Sequence, residues 1–148
     1  MPKLTHAIPL VMLLLLLAAM AGCESSGPQI ASVSGRITMD GKPLANATVV
    51  FTPENGRPAG ARTDENGNYS LHFTEGRRGA IPGPNTVQIT TVRDPEQDEN
   101  GKTVVPAAKE TIPMEYNAAS MLTFTVEPKK RNVANFDLKS GGKILLSE

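Results

Sequence analysis

Apolar residues follow two different patterns along this chain. From Leu10 to Cys23 they are nearly continuous, whereas from Val33 onward they alternate with polar ones. Alternation puts successive side chains on opposite faces of an extended chain, so one face can be buried while the other meets water. Val33, Gly35, Ile37 and Met39 against Ser34, Arg36 and Thr38 predict a first strand. Ala47, Val49 and Phe51 against Thr48, Val50 and Thr52 predict a second. Ala59 to Thr63 predicts a short third strand of low apolar content. Tyr69, Leu71 and Phe73 share one face of a fourth, opposite Asn68, Ser70, His72 and Thr74. Asn85 to Val92, with Val87 and Ile89 inward, forms a fifth, and Leu122, Phe124 and Val126 a sixth. Ala134, Phe136 and Leu138 point inward from a last strand.

The connections carry turn chemistry. Asp40-Gly41 tolerates the positive φ angles of a tight hairpin. In Asp64-Glu65-Asn66-Gly67 the aspartate can accept bonds from the backbone ahead of it, and glycine supplies the left-handed position. Arg93 to Thr111 is acidic and lacks apolar periodicity, which predicts an exposed, mobile loop longer than most connections in compact domains. No segment after Cys23 sustains helical periodicity. About seven short strands separated by Gly, Pro, Asn and Asp predict an all-β fold, an antiparallel two-sheet β-sandwich.

The N-terminal run has a separate meaning. Lys3 precedes an apolar stretch, and small residues end it, which is the layout of a secretory signal peptide. Ile8 to Ala21 is about 14 residues, too short for a membrane-spanning helix, which needs about 20. Ala21-Gly22-Cys23, with Met20 in the usual leucine position, resembles the lipobox of bacterial lipoproteins. That resemblance implies cleavage before Cys23 and acylation of its sulfur and amine, with two or three chains holding the domain on a membrane. The predicted organisation is signal peptide 1–22, flexible tether 23–31, β-sandwich 32–140 and C-terminal tail 141–148.

Composition narrows the class further. Loss of Lys3 leaves a mature net charge of about −1, which disfavours nucleic acid as a partner. Cys23 is the only cysteine, so no internal disulfide supports an exported domain and packing alone must hold it.

Several stretches together resemble a known family. Val33-Ser34-Gly35-Arg36-Ile37, Asp40-Gly41-Lys42-Pro43-Leu44-Ala45-Asn46-Ala47-Thr48-Val49, Thr63-Asp64-Glu65-Asn66-Gly67-Asn68-Tyr69 and Ile81-Pro82-Gly83 are similar to carboxypeptidase regulatory-like, transthyretin-like domains. The nearest likeness is to small lipoproteins of that type in planctomycete bacteria. The resemblance spans Ser32 to Ser140 and rests on turn and packing motifs, so it implies a fold more than an activity.

Candidate chemistry is sparse. His72 and Glu75 have the His-x-x-Glu spacing of zinc carboxypeptidases, but three residues apart on a strand they face opposite sides, and the mature chain has no second histidine. The histidines, arginines and C-terminal tetrapeptide of transthyretin-related hydroxyisourate hydrolases are likewise missing. Asp64 to Asn66 and Asp94 to Asn100 are acidic enough to suggest calcium, yet neither completes a twelve-residue calcium loop. The first reads more simply as a hairpin turn and the second as a solvated loop. Lys42 beside Asn135 or Asp137 would be needed for an isopeptide crosslink, and Lys42 falls in a turn. Lys129-Lys130-Arg131 reads as a solvated turn, with anionic lipid headgroups as the alternative. Tyr116 is the one aromatic not assigned to the core, so Tyr116, Arg77 and Arg78 are the candidate ligand or partner contacts, should their loops converge.

The expectation is therefore a non-catalytic, membrane-anchored envelope lipoprotein, lipidated at Cys23 and facing the periplasm or exterior. No catalytic residue, metal site or cofactor is assigned. Its sandwich would serve as a binding or structural module for an envelope protein or cell-wall component. The alternatives are a carbohydrate- or small-ligand-binding domain, or a hydrolase or metal-dependent enzyme on a transthyretin-like fold.

Overall fold

A computed structural model describes residues 27–74 and 76–145. The signal segment, Cys23 and Glu75 lie outside them. Within the described residues the fold is all-β, with one 3-10 turn at Met114–Tyr116, and none of its helices is long and apolar enough to cross a membrane.

The strands are β1 Val33–Met39, β2 Lys42–Pro43, β3 Thr48–Pro53, β4 Ala59–Arg62, β5 Asn68–Ser70, β6 His72–Thr74 and β7 Arg77–Arg78. They are followed by β8 Gly83–Thr90, β9 Glu96–Gln97, β10 Thr103–Val105, β11 Thr123–Val126, β12 Asn132–Val133 and β13 Phe136–Leu138. The larger sheet is antiparallel in the order β11-β8-β3-β4-β6-β7. The smaller sheet is built around β1, which pairs antiparallel with β2 and β5 and parallel with β12 and β13.

This corrects the expected pattern in four places. The smaller sheet is mixed, because the C-terminal strands return alongside β1 in the same direction. The expected strand Tyr69–Phe73 is two strands: β5 joins β1 through Gly35↔Tyr69, and β6 joins β4 through Gly60↔His72. The change of sheet falls at the fully buried Leu71, whose N–H still donates to Val33 O. Alternation survives the crossing, which is why the residue pattern alone shows one strand. For the same reason Asp64–Gly67 is not a hairpin turn between paired neighbours but a passage from the larger sheet to the smaller. Finally, the acidic stretch 93–111 contains an antiparallel β9–β10 hairpin, braced at its base by an Arg93↔Ala108 bridge.

Both sheets contribute to one core. Val49, Phe51, Val87, Ile89 and Val126 come from the larger sheet, and Val33, Ile37 and Leu138 from the smaller, all nearly inaccessible. Each such side chain stabilises by about 1.5–3 kcal/mol through its transfer from water. Phe51 of β3 meets Phe124 of β11 edge-on at 5.9 Å and Phe136 of β13 at 6.3 Å, so the aromatic cluster ties β3 to a strand of each sheet. All core residues among those described lie between Ala31 and Leu138.

The sheets also define two ends. One end gathers the start of β1, the β3–β4 connection, β7 and the turn before β12. The other gathers the β1–β2 hairpin, Asp64–Gly67 and the stretch 93–111. At the first end Ala31, expected as the last tether residue, is buried and bridged to Ala80. At the second, Lys143 of the expected tail accepts a hydrogen bond from the Met114 N–H.

Candidate functional site

A cleft lies where the chain changes sheets. About 420 Å³ in volume, it is lined by Ala61 and Arg62 of β4, Asp64, β5, His72 and Arg78. Its positions follow from the crossing: β4 and β6 pair only at Gly60↔His72, so their strands separate beyond that point. Arg62 is paired with Glu96 of β9 at 3.5 Å, which brings the acidic hairpin to the rim. Both side chains are substantially exposed, and the pair contributes little to stability.

The anionic member of the cleft is already committed. Asp64 Oδ1 accepts from the N–H groups of Asn66 and Asn68 at 2.9 and 2.8 Å, and the Asn68 bond leads the causes holding its carboxyl below the ordinary range. Tyr69 forms the cleft floor and is nearly buried, and its hydroxyl donates to Ala134 O at 2.7 Å. Burial pushes that hydroxyl well above its usual pKa. Arg62, His72 and Arg78 are left as the groups able to meet a ligand, a set that suits an anion or a polar sugar. Ser70 lines the same cleft, but no hydrogen bond joins it to His72, so no nucleophile–base pair is assembled.

The expected contact residues do not converge. The Met114–Tyr116 turn packs on β8, whereas Arg77 and Arg78 form β7, four strands away across the larger sheet, about 19 Å at strand spacing. Tyr116 is half-buried against the core, and its hydroxyl accepts from the Lys139 N–H at 3.1 Å, which corrects its reading as a free platform. Arg77 donates to Pro28 O at 2.6 Å and lies over the Phe73 ring at 5.6 Å. Arg78 alone of the three reaches the cleft. His72 is exposed, and among the described residues no three His, Cys, Asp or Glu side chains cluster as metal ligands.

Asp98 repeats the Asp64 arrangement, its Oδ1 accepting from Asn100 and Lys102 N–H at 2.9 Å each. Both acidic tetrapeptides thus use their first carboxylate to close a turn. Lys42 is exposed on β2. Asp137 is engaged by Lys139 Nζ at 2.8 Å, by the Thr38 hydroxyl at 2.7 Å and by Gly41 N–H at 3.3 Å. Led by the Lys139 bond, these hold its carboxyl down to about 2.

One polar centre escapes any reading of the residue pattern. Glu110, 7% exposed, receives the Thr90 hydroxyl at 2.6 Å, the Thr91 hydroxyl at 2.8 Å and N–H at 3.1 Å, and the N–H groups of Thr111 and Ile112. Asn117 Nδ2 donates to it as well, at 3.2 Å. Burial would raise its pKa, but these bonds outweigh burial and hold the carboxyl below the ordinary glutamate value. Among the described residues no cation pairs with it. Glu110 is a structural clamp that joins both ends of the stretch 91–111 to the 3-10 turn. Its only sequence signal is a lone glutamate followed by Thr-Ile-Pro.

No protein-family model matches the chain, and no curated protein matches it. Among solved structures, the chain is similar over 86% of its length to a 9R-lipoxygenase from Cyanothece PCC8801, at 14% identity and a TM-score of 0.39. It spans 20% of that protein's chain, and a likeness so distant carries no argument about chemistry.

Proposed function

We propose that this protein is a non-catalytic envelope lipoprotein, lipidated at Cys23, whose transthyretin-like, carboxypeptidase regulatory-like β-sandwich acts as a binding or structural module. The observation that carries this reading is one of spacing. A signal-like apolar run ends on the single cysteine, and the first core residue, Ala31, follows eight residues later. A folded domain thus begins almost at once behind a lipid-attachment motif, the arrangement needed to hold a domain close to a membrane. The sandwich reading is supported by the common core of the two sheets and by Phe51 lying between Phe124 and Phe136. The test is the mass of the native N-terminus after membrane extraction, with labelled fatty acid incorporation compared in Cys23→Ser. A diacylglyceryl-modified Cys23 and loss of label in the variant are expected; an unmodified Cys23 in the membrane fraction overturns the reading.

A second reading, a carbohydrate- or small-ligand-binding domain, is favoured by the cleft with Arg62, His72 and Arg78 on its walls. Acidic sugars would be the first ligands to titrate, with the His72 ring resonances as the reporter. The rival hydrolase or metal-dependent enzyme predicts stoichiometric zinc in the purified protein, and finding it would displace both readings.

A further inference from the structure

Net charge is not spread evenly between the two ends of this domain. Arg57 lies in the β3–β4 connection, Arg77 opens β7, and Lys129, Lys130 and Arg131 form the turn before β12. These five belong to the end at which the chain arrives from Cys23, whereas Arg78 lines the cleft. The placement is fixed by backbone pairing. Because β12 runs parallel to β1, with Val33↔Asn132 in register, the turn before β12 must lie beside the start of β1. Asn132 locks it there: its Nδ2 donates to Ser32, Glu127 and Lys130 carbonyls, and its Oδ1 accepts from Glu127 N–H. On the other side, the Ala31–Ala80 bridge and the bond from Arg77 to Pro28 O hold β7 against the incoming segment.

Anionic groups at this end are fewer. Glu54 lies in the β3–β4 connection, Glu127 pairs with Lys130, and the sequence adds Glu24 and Glu75. Arg57, Lys129 and Arg131 are exposed and have no ion-pair partner among the described residues. The opposite end carries several cations as well, Arg62, Arg93, Lys102 and Lys139 among them, but there Asp40, Asp64, Glu65, Glu110, Glu115, Asp137 and the acids of residues 94–99 outnumber them.

Chain length then brings the basic end to the lipid. Three residues separate Cys23 from Gly27, and the four steps between them span at most about 14 Å when fully extended. That distance is comparable with one to two Debye lengths at physiological salt, where anionic headgroups still attract basic side chains.

We propose that the basic end is a docking surface for anionic lipid headgroups, which sets the lipid-anchored domain upright with the acidic 93–111 hairpin directed away from the membrane. This rests on the lipidation of Cys23 proposed above. The surface orients the domain; the acyl chains retain it.

The test uses the native lipidated protein, reconstituted in vesicles of phosphatidylcholine alone or with phosphatidylglycerol added, and read by limited trypsin cleavage with mass spectrometry. Cleavage after Lys129, Lys130 and Arg131 should slow about fivefold or more on the anionic vesicles. Cleavage after Lys102 in the β9–β10 hairpin should stay the same on both. Raising the salt to about 0.5 M should remove the protection, as should the exposed-turn variant Lys129→Glu/Arg131→Glu, compared between the two vesicle types at the remaining Lys130 site. Equal cleavage on the two vesicle types overturns the proposal, as does equal protection at Lys102. Protection in native membranes but not in protein-free anionic vesicles also overturns it and assigns the basic end to a protein or cell-wall partner. Failure of lipidation itself is read separately, from the mass of Cys23 in the same sample.

Discussion

Two copies of one tetrapeptide, Asp64-Glu65-Asn66-Gly67 and Asp98-Glu99-Asn100-Gly101, provide an internally controlled measurement of what surrounds a turn. In both, the aspartate N–H donates to the carbonyl four residues on, the glycine N–H donates back to the aspartate carbonyl at 2.9 Å, and the glycine φ is +76°. Alanine at either glycine costs about 1–2 kcal/mol for the left-handed conformation, partly offset by about 0.4–1 kcal/mol from a stiffer unfolded chain. Gly101→Ala should therefore cost about 1 kcal/mol, since a Cβ there meets nothing within 4 Å. A Cβ on Gly67 would lie 2.3 Å from Ile37 O and 3.2 Å from Leu44 N. The obstruction is backbone, and Ile37 O is the acceptor for Leu44 N–H while Gly67 O accepts from Ile37 N–H. Disturbing those two bonds costs about 1 kcal/mol each, and the overpacking adds about 1–3 kcal/mol. Gly67→Ala should thus lose about 4–6 kcal/mol in all. At about 4 °C per kcal/mol for a domain of this size, calorimetric Tm values of the two variants should differ by about 12–20 °C. Losses equal within about 0.5 kcal/mol would refute the claim that the first turn is pinned against β1 and the second is free.

Other outcomes follow from the buried and clustered polar groups. Glu110→Gln turns an acceptor-only carboxylate into a group with donors facing donors, and should cost about 2–3 kcal/mol in urea denaturation. Because the folded-state pKa of Glu110 is lowered, its contribution is present above the ordinary glutamate value and lost as pH falls through the folded one; the variant should lose that acid slope. Tyr69→Phe removes the donor to Ala134 O and should cost about 1–2 kcal/mol. The tyrosine's raised pKa means wild-type stability declines as pH climbs above the ordinary value of 10.0, a decline the phenylalanine variant should lack in pH-dependent unfolding. Asp137, held down to about 2 from 3.8, contributes above pH 3.8 and loses that contribution on acidification toward 2, so Asp137→Asn should flatten the stability curve across that window.

Much of the larger sheet was legible in the residues. Val49, Phe51, Val87 and Ile89 alternate within continuous strands, and each points inward as its neighbours predict. Asp40-Gly41 declares its hairpin equally well, both residues having positive φ. The division at Leu71 was not legible, because side-chain alternation reports which face is buried and not which strand is paired. The parallel return of β12 and β13 depends on contacts about a hundred residues apart, for which local pattern has no signal. The β9–β10 hairpin has almost no apolar residues to mark it, and its one sequence signal is that Asp98-Glu99-Asn100-Gly101 repeats the turn tetrapeptide Asp64-Glu65-Asn66-Gly67. Glu110 could not be distinguished from the polar residues around it, since its burial comes from the convergence of Thr90, Thr91, Ile112 and Asn117.

The parallel pairing of β1 with β12 and β13 also sets the order in which this protein can be completed. The smaller sheet joins the beginning of the domain to its last strand, as in Ile37↔Phe136, so half of its hydrogen-bonding partners do not exist until the whole chain has emerged. Closing so long a loop makes folding slow relative to proteins built from local contacts. Under the export proposed above, the chain would gain from that delay, because the contacts that would lock it prematurely are the last to be supplied.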